Sequence, residues 1–204
     1  MTLPFIGAAF RRLWTKLAMR SGEYDGSDPT RFDRLHLVED PYKLGSKREL
    51  LRFEQTNAMI ARTCPDLANI LEVGSGEGIQ TQYLARLCST IIGIEVSARA
   101  AARARARMPD TEFLVGPGED VIALVGDRPI DLAVVCEILY LTPNAGQIIS
   151  DLQRIADRII VTNYYKRAPS VAQYLTGDGW QRLDDISAEG MTWWCYLWNK
   201  PAAA

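Results

Sequence analysis

The chain has 204 residues, 48% of them hydrophobic, enough to bury one sizeable core without dividing in two. A formal charge of −2 offers no electrostatic case for gripping a nucleic-acid backbone, so no nucleic-acid partner is expected. Four widely spaced cysteines without a Cys-x-x-Cys pair, and no secretory signal, point to reduced thiols in the cytoplasm; the single histidine, His36, excludes a multi-histidine metal site.

The first twenty residues alternate apolar Leu3, Phe5, Ile6, Phe10, Leu13, Trp14 and Leu17 with Arg11, Arg12, Lys16 and Arg20. Such a stretch is too short and too charged to span a bilayer. As a basic amphipathic helix it packs on its own domain, lies on an anionic membrane surface or meets a partner protein. Residues 21–34 are polar and turn-forming, a linker or mobile loop. The expected division is an amphipathic helix over 1–20, a cap segment over 21–65 and one α/β domain over 66–204.

Residues 69–78 read Asn-Ile-Leu-Glu-Val-Gly-Ser-Gly-Glu-Gly. A short apolar strand ends in glycines at every second position, and a helical pattern carrying Ile79, Tyr83, Leu84 and Leu87 follows. Strand, tight turn and helix bring backbone close to a nucleotide-like ligand. A dinucleotide site requires a glycine where Ile79 stands, so that spacing fails. The pattern suits a ligand with no phosphate and an amino-acid tail. Gly74, Ser75, Gly76 and Gly78 admit its backbone, and Glu72 attracts its ammonium group directly or through water. S-adenosylmethionine has that shape.

Ile91–Glu95 reads as a second buried strand ending in an acid, followed by Ser97 as an N-cap. Glu95, with Val96 beside it, lies about twenty residues past the turn, where an acid at a strand tip reaches ribose hydroxyls. A third strand, Glu112–Val115, leads into Gly118 and Glu119, which could read an adenine edge or form a plain turn. The arginines at 99, 103 and 107 of the intervening helix read as a solvated face.

Asp131–Val135 is apolar on both faces and reads as a central parallel strand. Its carboxyl end carries Cys136, assigned to the cofactor side, and Glu137, a functional group or a cap. An amphipathic helix marked by Ile148, Ile149, Leu152 and Ile155 precedes a strand at Arg158–Thr162. Residues 163–179 hold at most one short helix at Val171–Leu175. Two runs, Trp180–Ile186 and Met191–Asn199, flank a hairpin connection at 188–190. The fold expected is α/β and Rossmann-like: a seven-stranded, mostly parallel sheet with helices on both faces and a C-terminal antiparallel hairpin.

From about Phe32 to Thr142 the chain resembles the class I methyltransferases that use S-adenosylmethionine, and within them the nodulation protein S branch. The resemblance is carried by Phe32-Asp33, Asp40-Pro41-Tyr42, Ser46 and Glu49, Leu71-Glu72-Val73-Gly74, Thr81 with Leu84-Ala85, Glu95-Val96-Ser97, and Cys136-Glu137-Ile138-Leu139-Tyr140. Founding members of that branch N-methylate an amino sugar of a chitin oligosaccharide. The resemblance implies that Glu72 and the glycines hold the methionine part, Glu95 the ribose, and Gly118 and Glu119 the adenine. It also implies that Glu137 and Tyr140 face an acceptor pocket roofed by Tyr42. Tyr42, Leu141 and Thr142 depart from the family pattern, all on the acceptor side.

Methyl transfer asks chiefly for alignment. A hydroxyl acceptor also needs a general base, and an amine needs somewhere to leave its proton. Glu137 is the first candidate for that role and His36 the second, although His36 between Leu35 and Leu37 also reads as a packing residue. Tyr42, Tyr140, Tyr164 and Tyr165 could stack on a sugar or face a cation, and as a set they also read as mixed core and rim. The expected acceptor is a small molecule or a saccharide end. The competing reading is a non-catalytic cofactor-binding scaffold docked through residues 1–20.

Overall fold

The computed structural model describes residues 29–202, so the amphipathic segment at 1–20 and the start of the cap lie outside the described residues. The chain begins with α1 (Pro29–Leu35) and α2 (Lys47–Thr63), then alternates β1 (Asn69–Val73), α3 (Thr81–Leu84), β2 (Thr90–Glu95), α4 (Ala98–Arg107) and β3 (Glu112–Val115). It continues through α5 (Val121–Val125), β4 (Leu132–Cys136), α6 (Ala145–Ile155) and β5 (Arg158–Tyr164). The C-terminal part holds β6 (Trp180–Arg182), β7 (Ile186–Ala188) and β8 (Met191–Asn199).

The sheet order is β3-β2-β1-β4-β5-β8-β6, with β7 also on β8. The first five strands are parallel, and β8 joins β5 antiparallel through seven residue pairs from Arg158 and Asn199 to Tyr164 and Trp193. This is the expected Rossmann-like architecture. The strand order reverses between β1 and β4, which places a crevice above their carboxyl ends.

Each sheet face carries its own core. Leu71, Val73, Ala133, Val135, Ile159 and Val161 meet Val121 and Val125 of α5 and Ile148 and Leu152 of α6. On the opposite face Ile70, Leu132, Val134 and Ile160 meet Met59 and Ile60 of α2 and Leu84 of α3. Alternation along strands buried on both sides produces this division.

Residues 29–34, expected to end a linker or mobile loop, lie in α1, and two short 3₁₀ turns, Ala168–Ser170 and Ala172–Tyr174, replace the single short helix expected at Val171–Leu175. Beyond these, three local features differ from the sequence expectation. The helix after the glycine turn is a single turn, Thr81–Leu84, although Ile79 and Leu84 are buried as anticipated. The run from 180 to 186 is not one strand. Between the pairs Arg182–Tyr196 and Ile186–Trp193, three residues oppose two, so the arm bulges at Leu183–Asp185 and splits into β6 and β7. The Leu183 amide still bonds the Cys195 carbonyl at 2.9 Å, and Arg182 pairs with Asp185 across the bulge. The hairpin at 189–190 forms as anticipated: Glu189 (φ 46°) and Gly190 (φ 76°) both take positive φ, as a two-residue turn of this hand requires.

The third difference concerns the arginine face of α4, which is not simply solvated. Arg103 donates to the His36 carbonyl at 2.9 Å, the Val38 carbonyl at 3.2 Å and the Glu77 carboxylate at 2.6 Å, and Arg107 donates to the Glu77 carbonyl at 3.0 Å. Arg103 thus clasps the segment that follows α1 to the glycine turn, and Arg107 holds the turn itself.

Candidate active site

A cavity of about 280 Å³ opens above the carboxyl ends of β1, β2 and β4. The strand tips and the loops after them form its floor, and α1, α2 and the segment between them form the opposite wall.

The glycine turn is held by backbone bonds. The amides of Gly74 and Ser75 both donate to the Ile94 carbonyl, at 2.8 and 3.0 Å, and the Gly76 amide donates to Glu95 Oε2 at 2.8 Å. Gly76 has φ +56°, and nothing lies within 4 Å of where its β-carbon would project. At Gly74 (φ +82°) a β-carbon would come within 2.4 Å of Ile138. Ser75 is buried, and its hydroxyl has no partner among the described residues.

Glu72 and Glu95 stand on the neighbouring strands β1 and β2, and both line the cavity. Glu72 is 3% exposed and accepts the Thr81 hydroxyl at 2.5 Å. Burial pushes its carboxyl up to about 7, against the Thr81 bond and the Arg52 charge. Glu95 spends one contact of each oxygen on the backbone, Oε1 on the Ser97 amide and Oε2 on Gly76, both at 2.8 Å. Each oxygen retains a second lone pair for a hydroxyl donor. Burial raises the Glu95 carboxyl as well, opposed by the Ser97 amide, His36 and Gly76.

Ser97 caps α4 as anticipated, accepting the Ala100 amide at 3.2 Å while donating to Asp33 Oδ1 at 2.6 Å. Asp33 also accepts the Arg99 amide at 3.3 Å; although burial pushes its carboxyl up, the Ser97 and Arg99 bonds outweigh it and hold it low. Gly118 and Glu119 line the far side of the cavity. Glu119 Oε1 accepts from the Thr142 hydroxyl at 2.5 Å and from Asn144 at 3.1 Å. Thr142, expected on the acceptor side, therefore steadies the candidate adenine side through Glu119.

Glu137 follows β4 with φ 64°, a left-handed backbone rare outside glycine, and its amide bonds the Thr162 carbonyl at 2.9 Å. That bend turns the side chain into the cavity. Oε2 accepts the Tyr140 hydroxyl at 2.7 Å; Oε1 is buried with no partner among the described residues. Burial raises the carboxyl, and Arg52, Tyr140 and the Tyr164 backbone oppose the rise.

His36 is buried at the cavity wall, its Nδ1 2.9 Å from the Phe32 carbonyl and its ring edge-on to Tyr42 at 5.9 Å. It lies in electrostatic reach of Glu95 and Asp33, on the β2 side. Val96 and Cys136 line the same cavity, and Cys136 accepts from Gln80 at 3.3 Å. Two expected site residues do not reach it. A β-carbon on Gly78 would meet Ala104 at 3.1 Å, so that glycine serves packing against α4. Tyr164 packs into the core beneath α2, edge-on to Tyr165 at 5.0 Å.

Sequence reasoning passed over Arg52. It is 2% exposed, lines the cavity, and bonds Glu49 Oε2 at 2.8 Å through Nε. Its signal was position: a charged residue on the helix stripe that also carries Phe53, Thr56, Met59 and Ile60, all buried. Among the described residues, no group of acids, cysteines and histidine is arranged to hold a metal ion, and no helix is long and apolar enough to cross a membrane.

The family model of nodulation protein S (NodS) matches residues 31–163, which contain every residue of this cavity. The chain belongs to the NodS family. It is 33% identical over 118 residues to nodulation protein S of Sinorhizobium fredii, 54% of each chain, and 33% identical over 104 residues to that of Bradyrhizobium diazoefficiens, 50% of this chain and 49% of that one. The chain thus matches about half the length of these relatives. Among solved structures it superposes on the N-methyltransferase NodS of Bradyrhizobium japonicum bound to S-adenosyl-L-homocysteine, with a TM-score of 0.71 and 19% identity over 84% of this chain and 97% of the other. That likeness is one of fold, and the NodS match ends just inside β5, before the bulged C-terminal arm.

Proposed function

We propose that the protein is an S-adenosylmethionine-dependent methyltransferase acting on a nitrogen or oxygen of a small, sugar-containing acceptor. The observation that carries the reading is the pair Glu72 and Glu95 on adjacent strand tips, flanking the open space over Gly76. The cavity fits such a cofactor: the bare turn at Gly76 leaves room for it, the unpartnered Ser75 hydroxyl awaits a polar group, and the acids suit a cation and a diol.

When bound, the cofactor supplies an electrophilic methyl carbon on a sulfonium. In this reading Glu72 holds the ammonium end, Glu95 the ribose, and Gly118 and Glu119 the adenine. Tyr42, Tyr140 and the α1–α2 segment cover the pocket and present an aromatic wall to the acceptor. Alignment of the two reactants is worth roughly 7–11 kcal/mol, so a rigid wall matters more than a strong base. Glu137 takes the proton that the attacking nitrogen or oxygen gives up, at the otherwise unpartnered Oε1. Its burial raises its proton affinity above that of an ordinary carboxylate, which makes it the stronger base. His36, on the β2 side, is the alternative proton carrier. Residues 29–65 then belong to the acceptor site, and the reading takes the protein as one that acts in the cytoplasm.

Titration calorimetry with S-adenosylhomocysteine, followed by transfer of a labelled methyl group to amino-sugar and sugar acceptors, tests the reading. Saturable binding and label in the acceptor are expected. No saturable binding defeats it.

A further inference from the structure

Arg52 brings a full positive charge into a site already occupied by acids. It is 2% exposed, yet Nη1 has no hydrogen-bond partner among the described residues, while Nε is committed to Glu49. Leaving a buried guanidinium donor unpaired is expensive, and native interiors give such a donor a water, an ion or a ligand. Phe53 and Trp193 lie against this guanidinium at 4.6 and 5.6 Å but offer Nη1 no oxygen. The carboxylates of Glu49, Glu72 and Glu137 all feel this charge. Glu49 is shared with Arg48 at 3.2 Å, so Glu72 and Glu137 beside the unpartnered Nη1 suit a ligand that carries both a positive charge and an anionic oxygen.

An amino-acid tail has that charge pattern. Its ammonium and carboxylate share one carbon, so a site that places the ammonium near Glu72 must place the carboxylate a few ångströms away. Arg52 acts on Glu72 electrostatically and lines the same cavity. We infer that Arg52 is a cofactor-binding residue, its Nη1 taking the α-carboxylate of the S-adenosylmethionine tail. The inference rests on the methyltransferase reading and adds a residue from α2 to a site otherwise built from strand tips. It also makes α2 part of the cofactor site, so that binding ties the cap to the sheet.

The test compares S-adenosylhomocysteine with its decarboxylated analogue, whose tail ends in a primary amine, on the wild type and on Arg52→Met by calorimetry. A hydrogen bond to a charged group is worth about 10- to 100-fold in affinity. Arg52→Met should lose about that much toward S-adenosylhomocysteine and almost nothing toward the analogue. Equal losses toward both ligands, or no loss, overturn the inference; no loss leaves an acceptor carboxylate as the partner of Nη1. If Arg52→Met fails to fold, the wild type decides: weaker binding of the analogue by the same factor supports the assignment, and equal binding overturns it. A wild type that binds neither ligand defeats the methyltransferase reading as well, which separates the two failures.

Discussion

Glu77, inside the glycine turn, pairs with Arg103 of α4 at 2.6 Å, and the same carboxylate oxygen accepts the Asp40 amide at 3.0 Å. The Glu77 side chain is 2% exposed and that of Arg103 27%. One acid therefore joins the turn, a helix and the segment covering the cavity. Removing the guanidinium in Arg103→Ala leaves a buried carboxylate held by a single amide. The expected destabilisation is about 1–3 kcal/mol, below that for a fully buried pair because Arg103 is partly solvated. Denaturant unfolding should show this loss, and amide exchange should quicken across residues 36–40, where Arg103 also holds the His36 and Val38 carbonyls. Unchanged exchange there would show that the clasp does not order the segment.

Glu72 makes stability depend on pH. Its folded carboxyl titrates at about 7 against 4.5 unfolded, so the folded state holds the extra proton between those values. The associated stability is fully present below pH 4.5 and disappears as pH rises through 7, a change of about 3 kcal/mol. Glu72→Gln should flatten the unfolding free energy of the unliganded protein across that window. A ligand ammonium reverses the preference, because it favours the ionised carboxylate. S-adenosylhomocysteine should therefore bind more tightly at pH 8 than at pH 6 to the wild type, and less so to Glu72→Gln. Calorimetry at the two pH values reads both.

The fold was legible because its signals are local. Buried strands such as Leu132–Cys136, the Ser97 cap and the Glu189-Gly190 turn each declare themselves within a few residues. The strand-tip acids Glu72, Glu95 and Glu137 were legible for the same reason, since strand ends in a parallel sheet collect on one side. What escaped depends on distant pairings. The bulge at Leu183–Asp185 arises from register against β8, and the packing role of Gly78 from the approach of Ala104, twenty-six residues away. Arg52 escaped because nothing in the helix itself says which carboxylates will face it across the sheet.

Two glycines of the turn should respond differently to a methyl group. At Gly74 the new carbon would sit 2.4 Å from Ile138, so Gly74→Ala should lose about 1–3 kcal/mol to overpacking, with backbone strain added. At Gly76 the carbon meets only open space, and backbone strain of about 1–2 kcal/mol is the whole structural effect. Yet that space is where the ligand is proposed to lie. Gly76→Ala should fold nearly normally and bind S-adenosylhomocysteine about tenfold or more weakly. Thermal unfolding alongside calorimetry separates the two effects, and full affinity in Gly76→Ala would place the ligand elsewhere.

Tyr140 and Glu137 offer the sharpest test of the chemistry. The hydroxyl bonds Oε2 at 2.7 Å and favours the ionised carboxylate, while burial pushes the carboxyl up. If Glu137 takes the acceptor's proton, activity rises with pH as it ionises, along a limb above the ordinary carboxylate range. Tyr140→Phe withdraws the stabilising donor, so the folded-state value climbs further and the limb moves to higher pH. At alkaline pH the variant should regain most of its turnover. Glu137→Gln should lose about 10²–10⁴-fold at every pH while keeping its affinity for S-adenosylhomocysteine. It should not be less stable, because it removes a carboxylate whose Oε1 has no partner among the described residues. A limb at the same pH in Tyr140→Phe and the wild type would assign the proton to another group, with His36 next in line.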